Sequence, residues 1–107
     1  MAAEEIDAAE FRRRLEAGRA IRLIDVREPW EVAIARLPQA LNIPLNELPQ
    51  RLQELDTKAE TVVMCKSGGR SRRAAAFLVS RGFEHVANLS GGIDAWTRDI
   101  DPTLQSY

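Results

Sequence analysis

The chain reads as a single α/β domain, a mainly parallel sheet with helices on both faces. Three observations predict this. Short apolar, β-branched runs alternate with stretches of helical periodicity, the pattern of a parallel sheet with crossover helices. Pro and Gly fall near most of the junctions between those runs. A length of 107 residues supports one modest core and is too short for two. The domain is expected to fill 1–107, with its core over about 6–98 and an irregular tail over 99–107.

In chain order, Asp7-Ala8-Ala9-Glu10 is an Asp-x-x-Glu helix start in which Glu10 can reach back to the cap. Phe11 and Leu15 recur at helical spacing, and Gly18 closes the helix. Residues 21–26 form a mostly apolar, central strand. Pro29 opens a short helix to about Ile34, and 40–43 make a second strand that Pro44 stops. A helix then starts at Leu45 or Asn46, with Leu48, Leu52 and Leu55 on one face and Pro49 in its first turn. Residues 61–64 are the third strand, and 71–81 a helix that turns Ala74, Ala75, Phe77 and Leu78 inward. A strand over 84–89 and a helix around Ile93, Ala95 and Trp96 complete the domain.

Composition is that of an ordinary globular protein, with 45% hydrophobic and 29% charged residues and a net charge of −1. The near-neutral total hides an asymmetry. Between Cys65 and Phe83 lie Lys66, Arg70, Arg72, Arg73 and Arg81 and no acidic residue, leaving about −6 on the remainder. A basic mouth on a mildly acidic body suits a small anion or an acidic partner surface, although Arg73 and Arg81 equally suit a solvated helix face. One cysteine allows no internal disulfide or Cys-rich metal site and no second thiol to resolve an oxidised or sulfurated Cys65. Residues 1–20 are acidic and amphipathic, without the apolar core of a signal peptide, and no apolar run approaches spanning length. A cytoplasmic chain without nucleic-acid or membrane partners is expected.

The stretch that carries chemistry is Cys65-Lys66-Ser67-Gly68-Gly69-Arg70-Ser71, between the strand ending at Met64 and the next helix. Such a loop can turn successive N–H groups inward, and the helix it opens adds partial positive charge. Both favour thiolate over thiol, and the thiolate is the nucleophile. An ordinary thiol is roughly 3% ionised at pH 7, and a pKa about two units lower, roughly 2.7 kcal/mol, makes it mostly thiolate. A few charge-assisted N–H bonds can supply that. Cys65 is the candidate nucleophile, and the alternative is an inert buried thiol. Asp25 and Cys65 both stand at carboxyl ends of strands, where ligands of such sheets bind.

Four segments together resemble the rhodanese-like sulfurtransferase family over about Ile6 to Trp96. Residues 23–31, Leu-Ile-Asp-Val-Arg-Glu-Pro-Trp-Glu, resemble the family's Asp-x-Arg-Glu signature. Ala40-Leu41-Asn42-Ile43-Pro44-Leu45 is similar to its Ala-x-Asn-Ile-Pro segment, residues 65–70 to its active loop, and 89–96 to its closing Gly-Gly-x-x-x-Trp. The resemblance implies a three-layer α/β/α domain. It also implies that Cys65 takes a sulfane sulfur from thiosulfate or a persulfide donor and passes it to a thiol or cyanide-like acceptor. No cofactor or metal is implied. Lys66, Ser67, Gly68, Gly69, Arg70 and Ser71 would hold the persulfide, with Gly68 and Gly69 letting the backbone curl and Lys66 and Arg70 attracting the donor. The segment 45–56 and the ending 99–104 also look like rhodanese domains fused behind adenylating enzymes of molybdopterin and thiamine sulfur supply. A sulfur-carrier protein or a cysteine desulfurase is therefore a further expected partner. One segment departs from the family: Ala35-Arg36-Leu37-Pro38-Gln39-Ala40 stands where relatives commonly have Gly-His-Ile-x-Gly-Ala, so the loop is expected to be tilted or less mobile.

Two other functions fit the scaffold: a non-catalytic partner-binding module, and a cysteine phosphatase or arsenate reductase. The Cys-x4-Arg spacing is one residue short of the Cys-x5-Arg cup of that last class and suits a single sulfur atom better than a tetrahedral oxyanion. Asp25 is expected first to cap the next helix through Arg27 and Glu28, and second to pair with Arg27 beneath the loop. Arg70 is expected either to anchor the loop on backbone carbonyls or to touch substrate, and Ser71 to be the N-cap of the following helix. Trp30 and Trp96 read as core or rim packing. His85, far along the chain at a strand start, is not expected to form a dyad with Cys65, so activation must come from the loop.

Overall fold

The computed structural model describes residues 2–107. Its strands are β1 (Glu4–Ile6), β2 (Ile21–Asp25), β3 (Leu41–Asn42), β4 (Glu60–Met64) and β5 (Val86–Leu89). Its helices are α1 (Ala8–Glu16), α2 (Pro29–Ile34), α3 (Gly69–Ser80) and α4 (Gly92–Asp99), with a 3-10 segment over Leu45–Glu54. The strands form one sheet in the order β1-β5-β4-β2-β3, and every pairing is parallel. Side chains alternate across it as a pleated strand requires. Val63 and Ile24 pack with α3 and the 3-10 leucines on one face, while Val62, Met64 and Leu89 pack with Phe11 of α1 and Ile93 of α4 on the other. Each fully buried aliphatic chain in these layers contributes roughly 1.5–3 kcal/mol.

The central layers follow the apolar pattern, and the departures from expectation have identifiable causes. β1 was not expected, because only Ile6 of its three residues is buried. It is an edge strand, paired to β5 with Glu5 opposite Asn88. In α1, Asp7 Oδ1 accepts the Glu10 N–H at 2.8 Å as the cap signal predicts. The Glu10 carboxylate, however, goes to Arg13 and Arg14 rather than back to the cap. Leu15 is 43% exposed, and Arg14 takes the buried position beside Phe11, held by Glu4, Glu10 and Glu60. Residues 45–54 form tight 3-10 turns rather than an α-helix. Pro49 brings no N–H, and Arg51 leaves helical dihedrals at φ −117°, ψ 15°. Leu48, Leu52 and Leu55 nevertheless face the core as expected. In α3 the inward alanines Ala74 and Ala75 let the backbone lie close to the sheet, while Phe77 is only half-buried.

Parallel pairing fixes where the loops meet. Asp25 of β2 lies opposite Met64 of β4, so the loops leaving these two strands emerge side by side at the carboxyl end of the sheet. His85 precedes β5 at the other end of the sheet.

Candidate active site

Cys65 is the first residue past β4, and its side chain is almost sealed, at 1% exposure. Three donors converge on Sγ: the Gly68 N–H at 3.1 Å, the Ser71 N–H at 3.4 Å and the Ser71 hydroxyl at 3.3 Å. Burial pushes the thiol pKa up. The hydrogen bonds from Ser71, side chain and backbone, and from the Gly68 and Ser67 N–H groups outweigh it and hold the pKa below that of an ordinary thiol. Gly68 makes the curl possible. It precedes α3 at φ +111°, where a Cβ would meet Gly91 N at 3.2 Å. Gly69 does not share that role: it is the first residue of α3, with open space around it and no left-handed backbone.

Ser71 does not cap α3. Gly68 stands at the cap, and Ser71 lies in the first turn with its hydroxyl turned back into the loop. That single hydroxyl proton has Cys65 Sγ, Gly68 O and Asn88 Oδ1 within reach, the last at 2.5 Å. The Asn88 amide is oriented by its other contacts. Its Nδ2 donates to Glu5 Oε1 at 2.9 Å and to Gly68 O at 3.2 Å, which makes Oδ1 an acceptor that competes with Cys65 Sγ for the Ser71 proton. Glu5 from β1 thus stands two residues removed from the thiol. Hydrogen bonds from Ser90, Asn88 and Arg72 overcome the effect of burial and lower its carboxyl pKa.

The loop is clamped from behind by α4. Its first free N–H groups, Ile93 and Asp94, donate to Cys65 O at 2.9 Å and Lys66 O at 3.0 Å. Contact this close requires Gly92, at φ +56°, because a Cβ there would lie 2.4 Å from Lys66 O and 2.5 Å from Cys65 O.

Beside the cup lies a buried ionic network. Asp25 does not cap α2, which is flanked by Glu28 with the Glu28 N–H donating to Glu31 Oε1 at 3.0 Å. Asp25 instead accepts from the Arg27 N–H and guanidinium, the closest at 2.8 Å, both side chains being fully buried. Arg27 also donates to Ala35 O at 2.7 Å and to Tyr107 Oη at 2.9 Å, fixing the departing 35–40 loop and the returning tail. Asp25 and Tyr107 keep Arg27 protonated against the opposing effect of burial. Arg70 does not anchor the loop on backbone carbonyls. Its two terminal nitrogens fork onto Glu31, at 2.6 and 2.9 Å, and Glu31 also accepts from Tyr107 Oη at 2.8 Å. The Arg70 fork holds the Glu31 carboxyl pKa down at about 2. Lys66 is likewise paired, with Asp94 at 3.0 Å, and its ammonium lies 5.0 Å from the centre of the Tyr107 ring.

The structure therefore brings Gly68 and Ser71 onto Cys65 Sγ, with Arg70, Asp25 and Arg27 in the adjoining ionic network and Ser67 exposed. Glu31, Asn88, Glu5, Asp94, Gly92 and Tyr107 join them without having been singled out by sequence. A signal existed for Asn88, an amide inside the otherwise apolar β5, and for Glu31, which ends the Asp25 signature. None existed for Tyr107. Trp96 packs on Phe11 with ring centroids 5.6 Å apart. Trp30 takes the rim alternative rather than the core, 63% exposed and packed against the Tyr107 ring with centroids 6.0 Å apart.

A parallel α/β sheet with a lone cysteine in an N–H-lined loop beyond a strand's carboxyl end defines a class, and comparison identifies the family. The chain belongs to the rhodanese-like domain family, which matches residues 7–99. It is 39% identical over 94 residues to a sulfurtransferase of Allochromatium vinosum, covering 88% of each chain. It is 38% identical to the putative sulfurtransferase YtwF of Bacillus subtilis, covering 95% of this chain and 98% of that one. The human single-domain sulfurtransferase TSTD1 superposes with a TM-score of 0.83 at 31% identity, covering 92% of this chain and 98% of that structure. A segment of the adenylyltransferase and sulfurtransferase uba4 of Ogataea parapolymorpha is 40% identical to 88% of this chain, which spans 24% of that protein. The protein is an enzyme of the sulfurtransferase class.

Proposed function

We propose that Cys65 carries a sulfane sulfur as a persulfide between a small or protein-bound donor and a thiophilic acceptor. The observation that supports this most is the convergence of the Gly68 and Ser71 N–H groups and the Ser71 hydroxyl on Cys65 Sγ. In the first step the thiolate attacks the outer sulfur of the donor. The Sγ–S bond forms, the donor's S–S bond breaks, and the leaving group departs with the bonding pair, as sulfite from thiosulfate or a thiolate from a persulfide. In the second step a thiol or cyanide attacks the outer sulfur, and Cys65 leaves as the thiolate. No oxidant or reductant is consumed. A persulfide is a soft anion, and backbone N–H groups together with the start of α3 stabilise negative charge there. The chain has one cysteine, so the acceptor is external. The similarity to a putative sulfur carrier protein, YrkF of Bacillus subtilis, supports a sulfur-carrier protein as the partner class, with a cysteine desulfurase as the kind of donor that would feed it in a reducing cytoplasmic setting.

The test is turnover: thiocyanate formation from cyanide with thiosulfate or cysteine persulfide as donor, for native protein and Cys65→Ser. Sulfur transfer that disappears in Cys65→Ser supports the proposal. Absence of transfer with both donors, or equal transfer by Cys65→Ser, overturns it and leaves a partner-binding role for the scaffold.

A further inference from the structure

The loop and its surroundings contain four cations, and each already faces a carboxylate. Lys66 is held on Asp94, Arg72 on Glu5, Arg27 on Asp25 and Arg70 on Glu31. Two of these pairs, Lys66–Asp94 and Arg70–Glu31, have their cation within the Cys65 loop and the first turn it opens. The Arg70 fork is filled, since both of its terminal nitrogens are bound by the two oxygens of Glu31. Glu31 is itself pinned by Tyr107 Oη and the Glu28 N–H, so it cannot swing away without losing both. The Lys66 ammonium is drawn toward α4 by both oxygens of Asp94, with the Tyr107 ring on its other side. Of the five cations in the basic stretch, the three nearest Cys65 in sequence (Lys66, Arg70 and Arg72) are held in ion pairs, while among the described residues Arg73 and Arg81 of α3 and its end have no carboxylate partner.

That arrangement bears differently on the two kinds of sulfane donor. Thiosulfate arrives with two negative charges, must approach a thiolate, and releases sulfite with two charges. An alkyl persulfide brings at most one charge to the reacting sulfurs and releases a thiolate with one. A pair of opposite charges presents a dipole, whose field falls off faster than that of a free cation, and an incoming dianion must also pass its carboxylate. Resting on the sulfurtransferase reading above, we infer that Asp94 and Glu31 are specificity-determining residues that neutralise Lys66 and Arg70 and thereby favour alkyl persulfide donors over thiosulfate.

The experiment measures the rate at which Cys65 gains one sulfur, by quenched intact mass, with thiosulfate and with cysteine persulfide in parallel. Native protein loads faster from cysteine persulfide. Asp94→Asn frees Lys66 on an exposed rim where the fold tolerates an amide, and raises the thiosulfate-to-persulfide rate ratio roughly two- to fivefold. Glu31→Gln frees the Arg70 fork and raises the ratio by about tenfold. Asp94→Asn decides the matter where Glu31→Gln does not fold. Loading from thiosulfate as fast as from cysteine persulfide in native protein, or an unchanged ratio in Asp94→Asn, overturns the inference while leaving sulfur transfer intact. Loading from neither donor overturns the sulfurtransferase reading, and this inference falls with it.

Discussion

Around Cys65 two opposing effects meet: burial that raises the thiol pKa and hydrogen bonds from Ser71, Gly68 and Ser67 that lower it. Ser71 contributes twice, through its hydroxyl and its N–H, so Ser71→Ala should remove one donor and leave the backbone in place. The apparent pKa of Cys65, read from the pH dependence of iodoacetamide alkylation, should rise by roughly one unit in Ser71→Ala. An unchanged midpoint would show that the N–H groups alone set the thiolate. A second residue-scale consequence lies at Gln39. The family's glycine is absent there, yet the backbone keeps a left-handed turn at φ +64°. Such a conformation costs a side-chain-bearing residue roughly 1 kcal/mol. Gln39→Gly should therefore raise stability by roughly 0.5–1 kcal/mol in urea unfolding, part of the gain being offset by greater freedom of the unfolded chain.

The elements that shape the site are β4, α3 and α4, and their joint is the contact of Gly92 with the carbonyls of Cys65 and Lys66. Gly92→Ala would drive a methyl group into rigid backbone at a positive φ. Stability should fall by about 2–4 kcal/mol, visible as a lowered Tm, because neither α4 nor the loop can yield without breaking the Ile93 and Asp94 N–H bonds. The strands β2 and β4 and the helices α1 and α3 were legible because apolar periodicity and terminal signals agree in them. The 3-10 segment was legible only as an apolar face. Leu48, Leu52 and Leu55 all reach the core across the kink at Arg51, and the apolar pattern does not report the pitch that Pro49 and Arg51 impose. β1 was hidden because an edge strand with one buried side chain carries almost no hydrophobic alternation. At the site, the cysteine loop announced itself through glycines and a lone thiol. The partners of its cations did not, since Glu31, Asp94 and Tyr107 lie 39, 28 and 80 residues from the groups they hold, Arg70, Lys66 and Arg27.

Across the whole molecule, the network Asp25–Arg27–Tyr107–Glu31–Arg70 ties β2, α2, α3 and the tail into one unit. Of the tail expected to be irregular over 99–107, Asp99 ends α4 and the rest has no helix or strand, but Tyr107 anchors it on Arg27 and Glu31. This has a pH signature. The Glu31 carboxyl lies at about 2 in the folded protein against an ordinary 4.5, so the folded state binds its proton less readily than the unfolded chain does. The stabilisation is complete above pH 4.5 and is lost as pH falls from 4.5 toward 2. Urea midpoints measured at pH 6 and pH 3.5 should converge in Glu31→Gln relative to native protein, because the titrating partner of Arg70 is gone. An unaltered pH dependence would place the acid sensitivity elsewhere. No helix among the described residues is long and apolar enough to cross a membrane. The central claim is that this fold holds one cysteine as a sulfur carrier, and intact mass after incubation with cysteine persulfide tests it most directly. The account predicts a gain of one sulfur atom in native protein, removed by cyanide and absent in Cys65→Ser. An unchanged mass, or the same gain in Cys65→Ser, would contradict it.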